Sequence, residues 1–265
     1  MKRLAVIGHP VSHSRSPAMQ NAALADMGLG EDWHYEAIDV DEDGFRARIA
    51  TMPEEGFVGA NVTVPHKHAA LETATQASDS ATAIGAANTL IFTPAGVVAD
   101  NTDAPGLIDS LPEPVAGSKA LVFGAGGAAR AVLWALLAEG AEVSVWNRNP
   151  DRAEDLVKAL GGVAVTEPDA GEFDLFVNSS AAGLGGSDGL ADLPVSAGDF
   201  NTGQVVVDMV YGDQPSSLLE AASVAGAKTV DGLEILVRQG ARSLEIWTGL
   251  KPNLDVMRAA ARGAS

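Results

Sequence analysis

The sequence predicts an α/β protein of two domains, on three observations. Short apolar runs alternate with helix-period segments along residues 1–103. A Pro- and Gly-containing stretch, Leu111-Pro112-Glu113-Pro114-Val115-Ala116-Gly117, then punctuates the chain. A strand–turn–helix–strand unit follows it, and more strands and helices alternate after that. Strands that alternate with helices are joined by crossovers, so each domain is expected to hold a mostly parallel sheet. The first part ends at about residue 103, and the Pro- and Gly-containing stretch lies at or just inside the start of the second.

In the first domain, residues 4–7, 33–40, 57–62 and 86–92 read as strands, and 17–27, 43–50 and 66–73 as helices. Ser16-Pro17 is expected to cap and start the first helix. In the second domain the βαβ unit is strand 119–123, helix 128–139 and strand 142–146. Further strands are expected at 175–178 and 205–209, and helices at 216–225, 233–247 and 253–261. Residues 179–189 are rich in Ala and Gly and read as a loop beside a ligand.

Composition narrows the function. The chain has 265 residues, 46% of them apolar, enough for two ordinary cores. No apolar run reaches the roughly 18 residues of a membrane span. The basic start, Met1-Lys2-Arg3, is followed by too few apolar residues for a signal peptide. There is no cysteine, which excludes disulfides and thiolate metal sites. The cytoplasm is the expected compartment, and the chain a monomer or homodimer. A net charge of −18 repels a phosphate backbone, so nucleic acid is not an expected partner. An anionic ligand must therefore be held by local cations or backbone N–H groups. His9, His13, His34, His66 and His68 are scattered or in turns and read as exposed or capping residues. No metal site is expected.

The clearest chemical signal is Gly124-Ala125-Gly126-Gly127-Ala128-Ala129-Arg130, which follows the apolar run Ala120-Leu121-Val122-Phe123 and opens a helix. That is a dinucleotide fingerprint in the context it requires. Gly124 permits the tight turn, Gly126 lets a pyrophosphate approach the backbone, and Ala129 keeps helix and strand close. The helix start offers unpaired N–H groups to the anion. Sites for NAD place an acid at the end of the second strand, about 20 residues on. Here that segment reads Asn147-Arg148-Asn149-Pro150-Asp151-Arg152, with no acid at the strand end. Arg148 and Arg152 flank a helix start and can clasp a 2′-phosphate, which favours NADP; Asp151 opposes the clasp.

Polar clusters follow the strands of the first domain: Ser12-His13-Ser14-Arg15-Ser16-Pro17, Asn61-Val62-Thr63-Val64-Pro65-His66-Lys67, Ala86-Ala87-Asn88-Thr89 and Asp100-Asn101-Thr102-Asp103. Alternation puts Asn61 and Thr63 on one face of an extended segment. Hydroxyls, amides, one lysine and one carboxylate suit a small, anionic substrate with many hydroxyls.

These clusters and the fingerprint fall in one order with Asn147-Arg148-Asn149, Asp208-Met209-Val210-Tyr211 and the run Gly232-Leu233-Glu234-Ile235-Leu236-Val237-Arg238-Gln239. The set resembles the shikimate dehydrogenases from Ser14 to Gly249. The resemblance implies a substrate-binding and catalytic domain at 1–103, a Rossmann domain for NADP at 104–235, and helices at 236–265 that return to the first domain. It implies NADP-dependent, reversible reduction of 3-dehydroshikimate to shikimate, on the route to chorismate and the aromatic amino acids. Lys67 and Asp103 would be the catalytic pair. Ser14, Ser16, Asn61, Thr63, Asn88, Asp103, Tyr211 and Gln239 would hold the substrate. Gly124, Ala125, Gly126, Gly127, Ala128, Asn147, Arg148, Asn149 and Arg152 would hold the cofactor, with Met209 and Gly232 near the nicotinamide and Asp79 touching it elsewhere.

Ketone reduction needs a hydride and a proton, and Lys67 is the expected proton donor. A free lysine titrates near about 10.4, above the useful range. Burial lowers such a value and an adjacent carboxylate raises it. Asp103 is therefore expected to orient the lysine and bind a substrate hydroxyl. Asn149 stands where the family usually has Thr, and the loop after Tyr211 departs from the usual Thr-Pro-Leu pattern. Three alternatives share the fold: an NAD-preferring quinate/shikimate dehydrogenase, a dehydrogenase of an aminated ring analogue, and a cofactor-sensing binding protein without catalysis.

Overall fold

The computed structural model describes residues 1–184 and 188–263. The chain packs as two compact units. Residues 1–106 join the chain from Leu236 onward in one, and Leu107–Ile235 form the other.

The first unit runs β1 (Lys2–Gly8), α1 (Ser16–Asp26), β2 (Trp33–Asp39), α2 (Phe45–Thr51), β3 (Phe57–Val62), α3 (Lys67–Thr73), β4 (Gln76–Ala77), α4 (Asp79–Ile84), β5 (Thr89–Thr93) and β6 (Gly96–Asp100). Its sheet has the order β2-β1-β3-β5-β6-β4. β1 is an interior strand, and Leu4, Ala5, Val6 and Ile7 are all buried, as a strand covered on both faces requires. Its pairings with β2 and β3 are parallel, and so is β4 with β6. β5 is antiparallel to both β3 and β6. The reading from sequence has no strand at β6. Pro94 and Gly96 mark the turn, where Gly96 sits at φ +123° and the Thr93 hydroxyl donates to the Gly96 carbonyl. The hairpin matters for the site because its register sets Asn61 opposite Thr89 and Thr89 opposite Asp100.

Two helices close this unit, α9 (Gly232–Thr248) and α10 (Leu254–Gly263). They are tied by two buried donors, Gln20 Nε2 to the Gly240 carbonyl (3.0 Å) and Arg15 Nη1 to the Ala261 carbonyl (3.2 Å), and by the half-buried Trp247 Nε1 to the Leu90 carbonyl (3.0 Å). A Cβ at Gly240 would come within 2.5 Å of Met19 Cε, so the end of the Met19 side chain would have to shift to admit a larger residue there.

The second unit begins within α5 (Asp103–Ser110) and continues through β7 (Lys119–Phe123), α6 (Gly127–Ala138), β8 (Glu142–Trp146), α7 (Pro150–Leu160), β9 (Val163–Ala164), β10 (Leu175–Asn178), β11 (Val205–Asp208), α8 (Ser217–Val224) and β12 (Lys228–Val230). The sheet order is β12-β11-β10-β7-β8-β9, with every pairing parallel. Period-two alternation explains the two cores. Val122, Val145, Val177 and Val207 face one apolar cluster, while Leu121, Phe123, Phe176 and Val206 face the other. The strand order reverses between β7 and β10, which is where such sheets open a crevice. This is the Rossmann arrangement the fingerprint led us to expect. No helix among the described residues is long and apolar enough to cross a membrane.

Two local expectations are corrected. Ser16 is the first residue inside α1, and no side chain caps that helix; the Ser14 hydroxyl instead accepts from the Ser16 N–H at 3.3 Å. His66 is buried, not exposed. Its Nε2 donates to the Val40 carbonyl at 2.7 Å and its ring stacks on Phe45 at 4.5 Å, and both contacts use an imidazole as a packing piece.

Candidate functional site

In the first unit the site is built where β3 and β6 end and the antiparallel β5 begins. His66 anchors the start of α3, and Lys67 is that helix's first residue. The Lys67 carbonyl accepts from the Ala87 N–H at 2.9 Å, which fixes its backbone. Asn101 does the same for the other partner: its Oδ1 accepts from the N–H groups of Asp103 and Ala104, and its Nδ2 donates to the Ala86 carbonyl. Asp103 thus starts α5 in a fixed position. Lys67 Nζ donates to Asp103 Oδ2 at 2.7 Å, with the two side chains only 12% and 9% exposed. A charge-assisted bond so enclosed is stronger than a surface pair.

Asn88 holds the other carboxylate oxygen. Its Nδ2 donates to Asp103 Oδ1 (2.8 Å) and to Gln239 Oε1 (3.1 Å). Its Oδ1 accepts from the Thr102 N–H at 2.7 Å. Asn61 is held in the same way. Tyr35 donates its hydroxyl to Asn61 Oδ1 (2.8 Å), and Asn61 Nδ2 donates to the Asn88 carbonyl, Thr89 Oγ1 and Ser243 Oγ. The structure therefore brings Asn61, Lys67, Asn88, Asp103 and Gln239 into one network. Ser14, Ser16 and Thr63 make no hydrogen bond to it among the described residues. Ser14 and Thr63 are half-buried and Ser16 is buried. Thr63 packs so close to Gly8 that a Cβ there would lie 2.4 Å from its methyl. Asp79 is exposed at the start of α4, which Ser78 caps.

Reasoning from the sequence missed Tyr35 and Ser243. Tyr35 alternates with polar neighbours along β2 and reads as a core aromatic. Ser243 carries a signal only in hindsight: it lies four residues after Gln239, on the same helical face.

In the second unit the fingerprint turn has the geometry its glycines allow. Gly124 sits at φ +109°, in the left-handed region, and a Cβ there would meet the Ser180 nitrogen at 3.0 Å. A Cβ at Gly126 would meet nothing within 4 Å, so open space faces the start of α6. Ala125, Gly127 and Ala128 border that turn, and Ala129 is fully buried against the sheet. Burial lowers the Arg130 guanidinium from its ordinary value.

After β8, Asn147 Nδ2 donates to the Asn149 carbonyl, and Asn149 Oδ1 accepts from the Asp151 N–H to cap α7. Asn149 thereby serves as the cap of α7. Arg148 and Arg152 are exposed, and neither has an ion-pair partner among the described residues. Met209 is half-buried, and its N–H donates to the Asn178 carbonyl. A Cβ at Gly232 would stand 2.5 Å from the Met209 carbonyl, so this close approach requires glycine. Tyr211 is half-buried in the segment that follows. Asp208, 1% exposed, accepts from the Val210 N–H, Asn178 Nδ2 and the Ser216 hydroxyl. Burial pushes its carboxyl above the ordinary value, although those donors pull it back. Residues 185–187, within the Ala/Gly-rich tract, lie outside the described residues.

Comparison with known proteins agrees with this geometry along the whole chain. Residues 6–90 match the model of the shikimate dehydrogenase substrate binding domain. Residues 107–180 match that of shikimate / quinate 5-dehydrogenase, and 232–262 that of the shikimate 5′-dehydrogenase C-terminal domain. A shikimate dehydrogenase (NADP(+)) of Methanocella arvoryzae is 42% identical over 98% of this chain and 97% of its own length. The crystal structure of shikimate 5-dehydrogenase from Thermus thermophilus, in complex with NADP(H) and shikimate, superposes with a TM-score of 0.91 at 41% identity, covering 100% of both chains. That of shikimate 5-dehydrogenase from Listeria monocytogenes, in complex with shikimate and NAD, gives 0.86 at 27% identity, over 98% of this chain and 96% of the other. With identities this high over both units and the fingerprint, lysine–aspartate pair and amide network all in place, the chain belongs to the shikimate dehydrogenase family.

Proposed function

We propose that this chain catalyses the NADP-dependent, reversible reduction of 3-dehydroshikimate to shikimate, the step that leads toward chorismate and the aromatic amino acids. The observation that carries the proposal is the enclosed Lys67–Asp103 pair, whose second carboxylate oxygen is held by Asn88. Pure binding needs no such proton donor.

Lys67 Nζ gives its proton to the ring ketone oxygen and takes it back in the reverse direction. Asp103 keeps that nitrogen in place through Oδ2 and accepts a substrate hydroxyl. Asn61, Asn88 and Gln239, locked by their internal partners, present fixed polar edges to the ring. Ser14, Ser16, Thr63 and Tyr211 complete the set and hold the carboxylate and remaining hydroxyls.

The second unit fits a dinucleotide. The left-handed Gly124 and the open space at Gly126 leave the α6 N–H groups for a pyrophosphate. Ala125, Gly127 and Ala128 line the same turn. Arg148 and Arg152 take the 2′-phosphate, with Asn147 and Asn149 shaping the loop. Met209 and Gly232 support the nicotinamide, and Asp79 makes a further cofactor contact. Bound NADPH supplies the hydride. The chain works in the cytoplasm as a monomer or homodimer.

The test is the initial rate, followed by nicotinamide absorbance, with shikimate and quinate each crossed with NADP and NAD. Activity confined largely to shikimate with NADP is expected. A comparable rate with quinate and NAD would move the chain to the catabolic branch of the family. No rate with any pair would sink the catalytic proposal.

A further inference from the structure

We infer that Ser243 is a positioning residue of this site, acting through a triangle of buried hydroxyls on the orientation of the Asn88 amide. The inference rests on the reaction proposed above.

Ser243 is fully buried on α9. Its Oγ lies 2.9 Å from Asn61 Nδ2, 2.9 Å from Thr89 Oγ1, 3.0 Å from Thr102 Oγ1 and 3.1 Å from the Gln239 carbonyl. A hydroxyl has one proton to give and two lone pairs to fill, so it makes three hydrogen bonds at a time and these four neighbours more than fill it. Thr89 and Thr102 stand 3.2 Å apart and close the triangle. Each is in reach of one atom, Asn88 Oδ1, at 3.1 and 3.2 Å. The Thr102 N–H donates to the same oxygen at 2.7 Å.

The Thr102 N–H and the Thr89 hydroxyl on one side of the amide decide which way it faces, while Thr102 Oγ1 serves both ends, 3.0 Å from Nδ2 and 3.2 Å from Oδ1. The Asn88 NH2 group is left to meet Asp103 Oδ1 and Gln239 Oε1. A flipped amide would turn its oxygen toward the Asp103 carboxylate and lose both bonds. The order of influence is therefore Ser243 to the threonine hydroxyls, these to Asn88, Asn88 to Asp103, and Asp103 to Lys67. Every link is buried and hydrogen-bonded, so loosening one weakens the next. Ser243 itself does not touch Lys67 or Asp103. It also shares α9 with Gln239, so one helix supplies both an amide that meets Asn88 and the hydroxyl that orients it.

The test uses the full-length protein in steady state with shikimate and NADP. Ser243→Ala is expected to lower kcat by about 10- to 100-fold, since small misplacement of reacting groups costs that much. The KM for NADP stays unchanged, and the pH at which kcat is half-maximal moves. Thr89→Val, which removes a second vertex while keeping the shape, is expected to do the same, whereas Thr89→Ser, which keeps the hydroxyl, stays close to the parent. Gln204→Leu serves as control: that side chain is buried in the second unit, bonded to the Ala170 and Phe173 carbonyls, and its loss lowers Tm alone. Parental kcat and pH profile in both Ser243→Ala and Thr89→Val, with only a lowered Tm, overturns the inference and leaves the reaction standing. If Ser243→Ala does not fold, the Thr89→Val and Thr89→Ser pair decides by itself. A parent protein inactive on shikimate overturns the reaction, and the inference with it.

Discussion

The two halves of the proposed machinery are built on opposite principles. In the first unit, side chains do the recognising. Lys67, Asp103, Asn88, Asn61 and Gln239 are buried or nearly so, and each is already engaged by another protein group. In the second unit the backbone does most of it. Gly124 and Gly126 matter for what they lack, and the two arginines of the ribose loop stand exposed. A saturated network fixes geometry before the substrate arrives, as proton transfer demands. An open turn with free N–H groups and exposed arginines suffices to hold a phosphate. Substitutions in the first unit should therefore damage turnover, and those in the second should damage cofactor affinity or stability.

The largest effect tests the first half. Lys67→Ala removes the proton donor and leaves Asp103 bonded to Asn88. It is expected to lower kcat by about 10³-fold or more while the KM for shikimate stays within about threefold. Initial rates with saturating NADP measure both. Turnover near the parent value would remove Lys67 from the chemistry, and a rise in KM without loss of kcat would make it a binding group only.

The second test falls on the ribose loop. Arg148→Ala combined with Arg152→Ala is expected to raise the KM for NADP by about 10- to 100-fold, and that for NAD by far less. Both side chains are exposed, so Tm should hardly move. Equal effects on both cofactors would mean that the arginines do not read the 2′-phosphate. The contrast between the units would then rest on the glycine turn alone.

How much was legible beforehand follows the same divide. The Rossmann unit showed itself through spacing: an apolar strand, glycines at Gly124 and Gly126, and a helix with Ala129 against the sheet. Those are local features, and the strands β7, β8, β10 and β11 fall where their short apolar runs put them. The first unit gave its clusters of polar residues but not their wiring. β6 escaped notice because Val97 and Val98 are both half-buried, which erases the two-residue alternation. Nothing local in the sequence tells that His66, expected to be exposed or capping, stands at the cap position of α3 with its ring buried between the Val40 carbonyl and Phe45. Tyr35 and Ser243 come from elements far apart in sequence, and only the sheet order that sets β2 one strand away from β3, across β1, and the packing of α9, make them neighbours of Asn61.

A third effect is smaller and depends on pH. Asp208 is a carboxylate of the second unit buried as deeply as Asp103 is in the first. Burial raises its carboxyl, so the folded protein favours the protonated form relative to the unfolded chain. That contribution is fully present below the ordinary value of 3.8 and is lost as pH rises through the raised value. Asp208→Asn keeps the shape and cannot ionise. Its Tm, followed from about pH 4 to pH 8, is expected to lack the decline the parent shows in the window above 3.8. Parallel curves for parent and variant would mean that the donors on Asp208 outweigh its burial.

The smallest effect sets an exposed ion pair against the enclosed one. His9 Nδ1 lies 2.7 Å from Asp39 Oδ1, and Asp39 Oδ2 accepts from the Val11 N–H, so the pair steadies the segment leading to Ser14. The hydrogen bond to Asp39, then its charge, raises the His9 imidazole above its ordinary 6.5, and the bond to His9 lowers Asp39 below 3.8. The histidine's share of stability is complete below 6.5 and disappears as pH rises through its raised value. The aspartate's share is present above 3.8 and disappears as pH falls through its lowered value. The pair therefore helps most between those limits. Both groups are open to water, where such bonds contribute little and salt screens them. Asp39→Asn is expected to bring the His9 midpoint, read from its ring proton shifts, back toward 6.5, with kcat unchanged. A marked loss of kcat would mean that the loop to Ser14 depends on this surface pair as closely as Asp103 depends on Asn88, and rigidity would then extend beyond the buried network to the mouth of the site.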